Sequence, residues 1–104
     1  MTDAHARSAT PGDAATAREA AAMNRRLLEL AAEDKWQHLE GIMTRRNKLL
    51  ASISGAEREH ALLAARHCTE RLQAMAQVAK SRCAEQLAAL KHGRKAAESY
   101  RANR

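Results

Sequence analysis

The chain has 104 residues and a formal net charge of +6, a length that supports one hydrophobic core and leaves too little apolar surface for two. Trp36 and Tyr100 are the only aromatic residues, Phe is absent, and Ile42, Ile53 and Val78 are the only Ile and Val, while about a quarter of the residues are Ala. That composition excludes a sheet and favours helix throughout, with a thin core of Ala and a few Leu. The basic balance suits an acidic partner, nucleic acid or a membrane surface and does not choose among them.

Residues 1–12 mix Thr, Ser, Ala, Pro and Gly with scattered charge and no apolar period, which predicts a disordered lead-in. Thr10-Pro11-Gly12-Asp13 then offers a helix start. Ala20, Met23, Leu27, Leu30 and Ala31 follow at spacings of three and four, one face of a first helix. Asp34-Lys35-Trp36-Gln37 reads as a tight turn with a capping-box pattern that opens the next helix.

The second helix carries Trp36, Leu39, Ile42, Met43, Leu49, Leu50 and Ile53. These residues span an arc of roughly 140°, wider than one helix seam requires. Arg46 falls in the middle of that arc. Two roles are open to it: its stem packs while its head reaches solvent or an internal carboxylate, or it anchors an acidic or carbonyl group of a partner.

Ser54-Gly55-Ala56-Glu57 has the form of a fuller capping box, and a long third helix follows it. Its main stripe is Ala61, Ala65, Cys68, Leu72, Met75, Ala76, Ala79, Cys83, Leu87 and Leu90, with the spacing near 3.5 that suits antiparallel packing. Leu63, His67 and Val78 lie roughly opposite, a second and narrower strip suited to a partner or an oligomer contact. Cys68 and Cys83 would stand ~22 Å apart on one helix, beyond disulfide reach, and so are expected as buried free thiols. Lys91-His92-Gly93 reads as a helix end, leaving a short basic C-terminal helix that carries Tyr100.

The expected fold is therefore all-α, an antiparallel bundle of three main helices with a short, mobile C-terminal helix. Its divisions are a lead-in of 1–12, a bundle of 13–92 and a basic segment of 93–104.

Little in the chain points to catalysis, and no enzyme activity is expected. Glu57 with His60, and His67 with Glu70, give one Glu-x-x-His and its reverse, whereas a di-iron bundle needs two such helices and two further carboxylates. No metal and no cofactor is expected, and no Gly-rich phosphate loop is present. Arg45, Arg46, Lys48 and the C-terminal Lys91, Arg94, Lys95, Arg101 and Arg104 are basic, but the aromatics needed to stack bases are missing, which disfavours nucleic acid. No uncharged run approaches the ~20 apolar residues of a membrane span, and the N-terminus lacks the apolar run of a signal peptide, so a cytoplasmic location is expected.

Leu27-Leu28-Glu29-Leu30-Ala31 followed by Trp36, Leu39, Ile42, Arg46, Leu49 and Leu50 resembles the FliT family of flagellar export chaperones. Leu87 and Leu90 followed by Gly93-Arg94-Lys95-Ala96-Ala97 and Tyr100 resemble that family's basic, Tyr-bearing C-terminal stretch. The resemblance covers most of residues 20–101. It implies a cytoplasmic chaperone that binds the filament-cap protein FliD, prevents its premature assembly and delivers it to the flagellar type III export apparatus. It also implies a mobile C-terminal segment, here Arg94, Lys95 and Tyr100, able to cover the binding surface, and in some bacteria binding to the flagellar master regulator. The partner surface expected from the residues is a groove of the second and third helices, with Ile42, Arg46, Leu49, Leu63, His67 and Val78. The alternatives are a helical adaptor or homo-oligomer, such as a homodimer, that uses the same apolar arc on itself, and a small basic nucleic-acid-binding protein.

Overall fold

A computed structural model describes residues 12–103, and the expected lead-in of residues 1–12 falls, apart from Gly12, outside them. The described residues form three α-helices and no strand: α1 (Asp13–Ala32), α2 (Leu39–Ser52) and α3 (Gly55–Ala102). A 3-10 turn, Trp36–His38, leads into α2. The all-helical class follows from the composition, because few residues here prefer a pleated surface.

α1 ends by a backbone device. The Lys35 N–H donates to Leu30 O at 2.8 Å and the Asp34 N–H to Ala31 O at 3.1 Å, the pair of bonds that closes a Schellman end. Asp34 occupies the left-handed position with φ 59°, where a short polar side chain is tolerated. The expected capping box at Asp34 is therefore not formed: this residue closes the helix before it, and its Oδ1 accepts from Trp36 Nε1 at 3.4 Å.

Ser54 also departs from the expected capping box. Its side chain makes no cap bond within α3; its N–H and Oγ–H donate to Asp13 Oδ2 at 3.2 and 2.8 Å. The first residue of α1 thus pins the start of α3 from another helix, and Gly55 supplies the positive φ of 64° that turns the chain there.

The core has two centres. Leu27, Leu30, Ala31, Leu39, Cys68 and Leu72 bury one another at the Trp36 end, while Ala20, Leu50, Ile53, Ala61 and Ala65 do so at the Asp13 end. Since Leu39 packs with Leu30 and Leu50 with Ala20, α2 runs back along α1, and α3 then runs beside α1 in the same direction. Four of these eleven buried apolar residues are Ala, so hydrophobic burial, worth about 25 cal/mol per Å², is shared among few large side chains.

α3 outgrows its neighbours. It has 48 residues where α1 has 20 and α2 has 14, about 72 Å of helix against about 30 and 21 Å at 1.5 Å per residue. The molecule measures 91 × 17 × 15 Å, with a radius of gyration of 22.5 Å, where a compact chain of this length has about 13 Å. The expected helix end at Lys91-His92-Gly93 and the separate C-terminal helix are corrected by this continuity. Gly93 lies inside α3, with nothing within 4 Å of where a Cβ would stand. A lone Gly lowers helix stability by only about 1 kcal/mol relative to Ala, less than is needed to break a helix whose flanks, Ala88 to Lys91 and Lys95 to Ala97, are strong helix formers.

Candidate functional site

From Lys80 onward every described residue of α3 is exposed. Those 23 helical residues, 80–102, form an arm about 35 Å long, whose root, at Lys80, Arg82, Cys83 and Gln86, borders a cleft shared with Asp34 and Trp36. The helical face buried inside the bundle by Ala61, Ala65, Cys68 and Leu72 continues along the arm through Ala79, Cys83, Leu87 and Leu90, because the spacing of three and four residues is maintained. Leu87 is 58% exposed and Leu90 69%. One stripe of α3 thus serves as core for its first half and stands uncovered in its second.

The junction is marked by Trp36. Its half-buried ring closes the end of the bundle against α3, packed on the cluster around Leu27 and Leu72. On one side of it opens a cleft of about 420 Å³ bounded by Asp34, Ala76, Ala79, Lys80, Arg82, Cys83 and Gln86. On the other lies one of about 270 Å³, bounded among others by Ala31, Met75, Val78 and Arg82. Both are bounded mainly by apolar surface, with Arg82 and Asp34 in each and Lys80 in the first, and the first runs directly onto the uncovered stripe.

The residues expected to bind a partner are not brought together. Ile42 and Leu49 are half-buried on α2, each packed against one of the two core clusters. Leu63 and His67 are exposed on the outward face of α3, away from its buried stripe, and Val78, also exposed, borders the smaller Trp36 cleft. Arg94, Lys95 and Tyr100 stand on the arm, all exposed and in helix, beyond the end of the bundle.

Arg46 is only 3% exposed. Its guanidinium donates to Asn24 Oδ1 at 3.1 Å, to Asn47 Oδ1 at 3.3 and 3.2 Å, and to Thr69 Oγ1 at 3.5 Å. Neither solvent nor a carboxylate answers the charge; neutral amide and hydroxyl oxygens from all three helices do. That arrangement makes Arg46 a tie between helices, and its burial takes it out of reach of a docking partner.

The two thiols are both free, but only Cys68 is buried; Cys83 is exposed in the cleft beside Trp36, which corrects the expectation of two buried thiols. Cys68 Sγ donates to Asn24 O at 3.6 Å. Burial pushes the Cys68 thiol above its ordinary value, and the nearby Arg46 charge offsets part of that rise. A thiol whose folded pKa is raised favours the fold while it stays protonated, and that contribution is lost as pH climbs from the ordinary thiol value toward the raised one. Alkylation of the native chain at about pH 8 should therefore modify Cys83 at least tenfold faster than Cys68. Peptide mapping after timed quenching reads both sites, and equal rates would contradict the burial of Cys68.

Among the described residues no group of three His, Cys, Asp or Glu side chains is placed to hold a metal ion, and Glu70 pairs with Arg66 at 3.2 Å. Among the same residues no helix is long and apolar enough to cross a membrane. The chain matches no protein-family model, no curated protein and no solved structure.

Proposed function

We propose that this chain is a cytoplasmic chaperone of flagellar type III export that binds the filament-cap protein FliD and keeps it from assembling prematurely. The observation that carries the reading is the arm of α3, whose core-forming stripe continues uncovered past the end of the bundle. A stripe of that kind is suited to a guest segment that takes the place α1 and α2 occupy lower on the same helix. The reading draws its cargo from the likeness of Leu27–Ala31, Trp36, Leu39, Ile42, Arg46, Leu49 and Leu50 to FliT-type chaperones. Export-apparatus components, and in some bacteria the flagellar master regulator, are further partners under the same reading.

The placement of Arg94, Lys95 and Tyr100 bears on regulation. For these residues to fold back over the uncovered stripe of the arm, α3 would have to bend, and Gly93 is the position where bending costs least. The C-terminal segment would then exchange between an arm that receives cargo and a strap that occupies the cargo's place.

The test is co-elution of the purified chain with FliD from the same organism, followed by titration. A complex that persists in high salt and suppresses FliD self-assembly is the expected result. Absence of a complex at micromolar concentrations of both proteins would overturn the assignment of cargo.

A further inference from the structure

The charge on the arm narrows what can lie along it. Residues 80–102 contain six basic residues, Lys80, Arg82, Lys91, Arg94, Lys95 and Arg101, against two acidic ones, Glu85 and Glu98, a net of +4 out of the whole chain's +6. At 100° per residue, Lys80 and Lys91 flank the Ala79, Cys83, Leu87 and Leu90 stripe on one side and Arg82 on the other, while Arg94 continues it toward the C-terminus. Glu85 falls on the opposite face. The surface is thus an apolar line about three turns long, edged by Lys80 and Lys91 on one side, where Glu98 follows further out, and by Arg82 on the other, with Arg94 at its far end.

We propose that the outer half of α3 docks an acidic amphipathic helix of a partner protein, with the guest's apolar face on Ala79, Cys83, Leu87 and Leu90 and its carboxylates against Lys80, Arg82, Lys91 and Arg94. The end of the guest rests in the cleft beside Trp36, so the bundle resumes where α1 and α2 stop. This inference deepens the chaperone reading, and rests on it for the role of the guest, by stating the chemistry of the segment that is held.

A second copy of the chain fits this surface poorly. Two arms laid together would juxtapose two +4 segments along one seam, and like charges flanking a helical interface select against pairing. Nucleic acid fits poorly for another reason: Leu87 and Leu90 occupy the centre of the surface, where phosphate contact has no use for them, and Tyr100 is the arm's sole aromatic.

The probe is a fluorescent synthetic helix of about six turns, with Leu at spacings of three and four and Glu on both flanks, titrated against the full chain by anisotropy at low and high salt. A second peptide carries the same Leu residues with Lys for Glu, and a DNA oligonucleotide of similar length is the third ligand. The acidic peptide should bind, at least tenfold more tightly than the basic one, and more weakly as salt is raised. Leu87→Asp with Leu90→Asp should weaken it at least tenfold, whereas Leu63→Asp, on the outward face, should leave it unchanged. Both sites are exposed, so circular dichroism should show an unaltered helix content.

Equal binding of the two peptides, preference for DNA, or dimerisation of the chain that Leu87→Asp abolishes would each overturn the proposal. Its failure is separable from that of the chaperone reading. A FliD complex unaffected by Leu87→Asp with Leu90→Asp would leave the cargo assignment standing and remove the arm as its site; acidic-peptide binding without any FliD complex would do the reverse.

Discussion

Replacing Leu27 by Ala should lower the stability of the bundle by about 3–5 kcal/mol, the upper part of the range for fully buried leucines. Leu27 is the one Leu with no exposed surface, and it sits among Leu30, Leu39, Cys68 and Leu72 where all three helices meet. Its removal leaves a cavity that neighbours as short as Ala31 cannot fill. A domain of this size is stable by only about 5–15 kcal/mol, and a core with four Ala among eleven buried apolar residues sits toward the low end. Urea titration followed by circular dichroism measures the loss, and a change below 1 kcal/mol would contradict the placement of Leu27.

The second large effect concerns the polar tie around Arg46. Arg46→Met alone should cost about 1–3 kcal/mol, because Asn24, itself buried, keeps an acceptor whose donor has gone. Asn24→Leu alone should cost about 3 kcal/mol or more, since it strips an acceptor from a buried guanidinium. The double variant Arg46→Met with Asn24→Leu should be more stable than either single one, as apolar replacement of a complete buried polar set often is. Asn47 is exposed and can turn its amide to water. Four melting curves give the coupling directly, and strict additivity would show that the two side chains do not share one network.

Much of this fold is legible in the sequence because helices announce themselves by period. Leu27, Leu30 and Ala31, and then Ala61, Ala65, Cys68 and Leu72, are placed on the correct faces by spacing alone. Caps are less legible, since the same residue type can act in either direction. Asp34 closes α1 through a left-handed backbone, and Ser54 is claimed by Asp13 from 41 positions away. Gly93 looks like a stop because Lys91 and His92 precede it, yet basic residues also populate an exposed helical face.

The site is harder to read. Periodicity says that Cys83, Leu87 and Leu90 share a face with Leu72; it does not say how far a neighbour reaches. The helix lengths do carry that information, for a first helix of about 30 Å cannot cover a third of about 72 Å. Arg46 shows the converse. Its place within the apolar arc of α2 is visible, but besides the adjacent Asn47 the oxygens that surround it belong to Asn24 and Thr69, 22 and 23 residues away in either direction, which only the packing of three helices brings together.

The measurement that bears most directly on the account is amide hydrogen exchange along α3, in the free chain and in the proposed complex with FliD. In the free chain, amides of residues 61–72 should be protected and those of residues 80–102 should exchange fast, because an isolated helical arm in water opens readily. On complex formation the amides around Cys83, Leu87 and Leu90 should slow at least tenfold. An arm already protected in the free chain, or one whose exchange is unchanged in the complex while the bundle slows, would contradict the claim that the outer half of α3 is where this protein holds another.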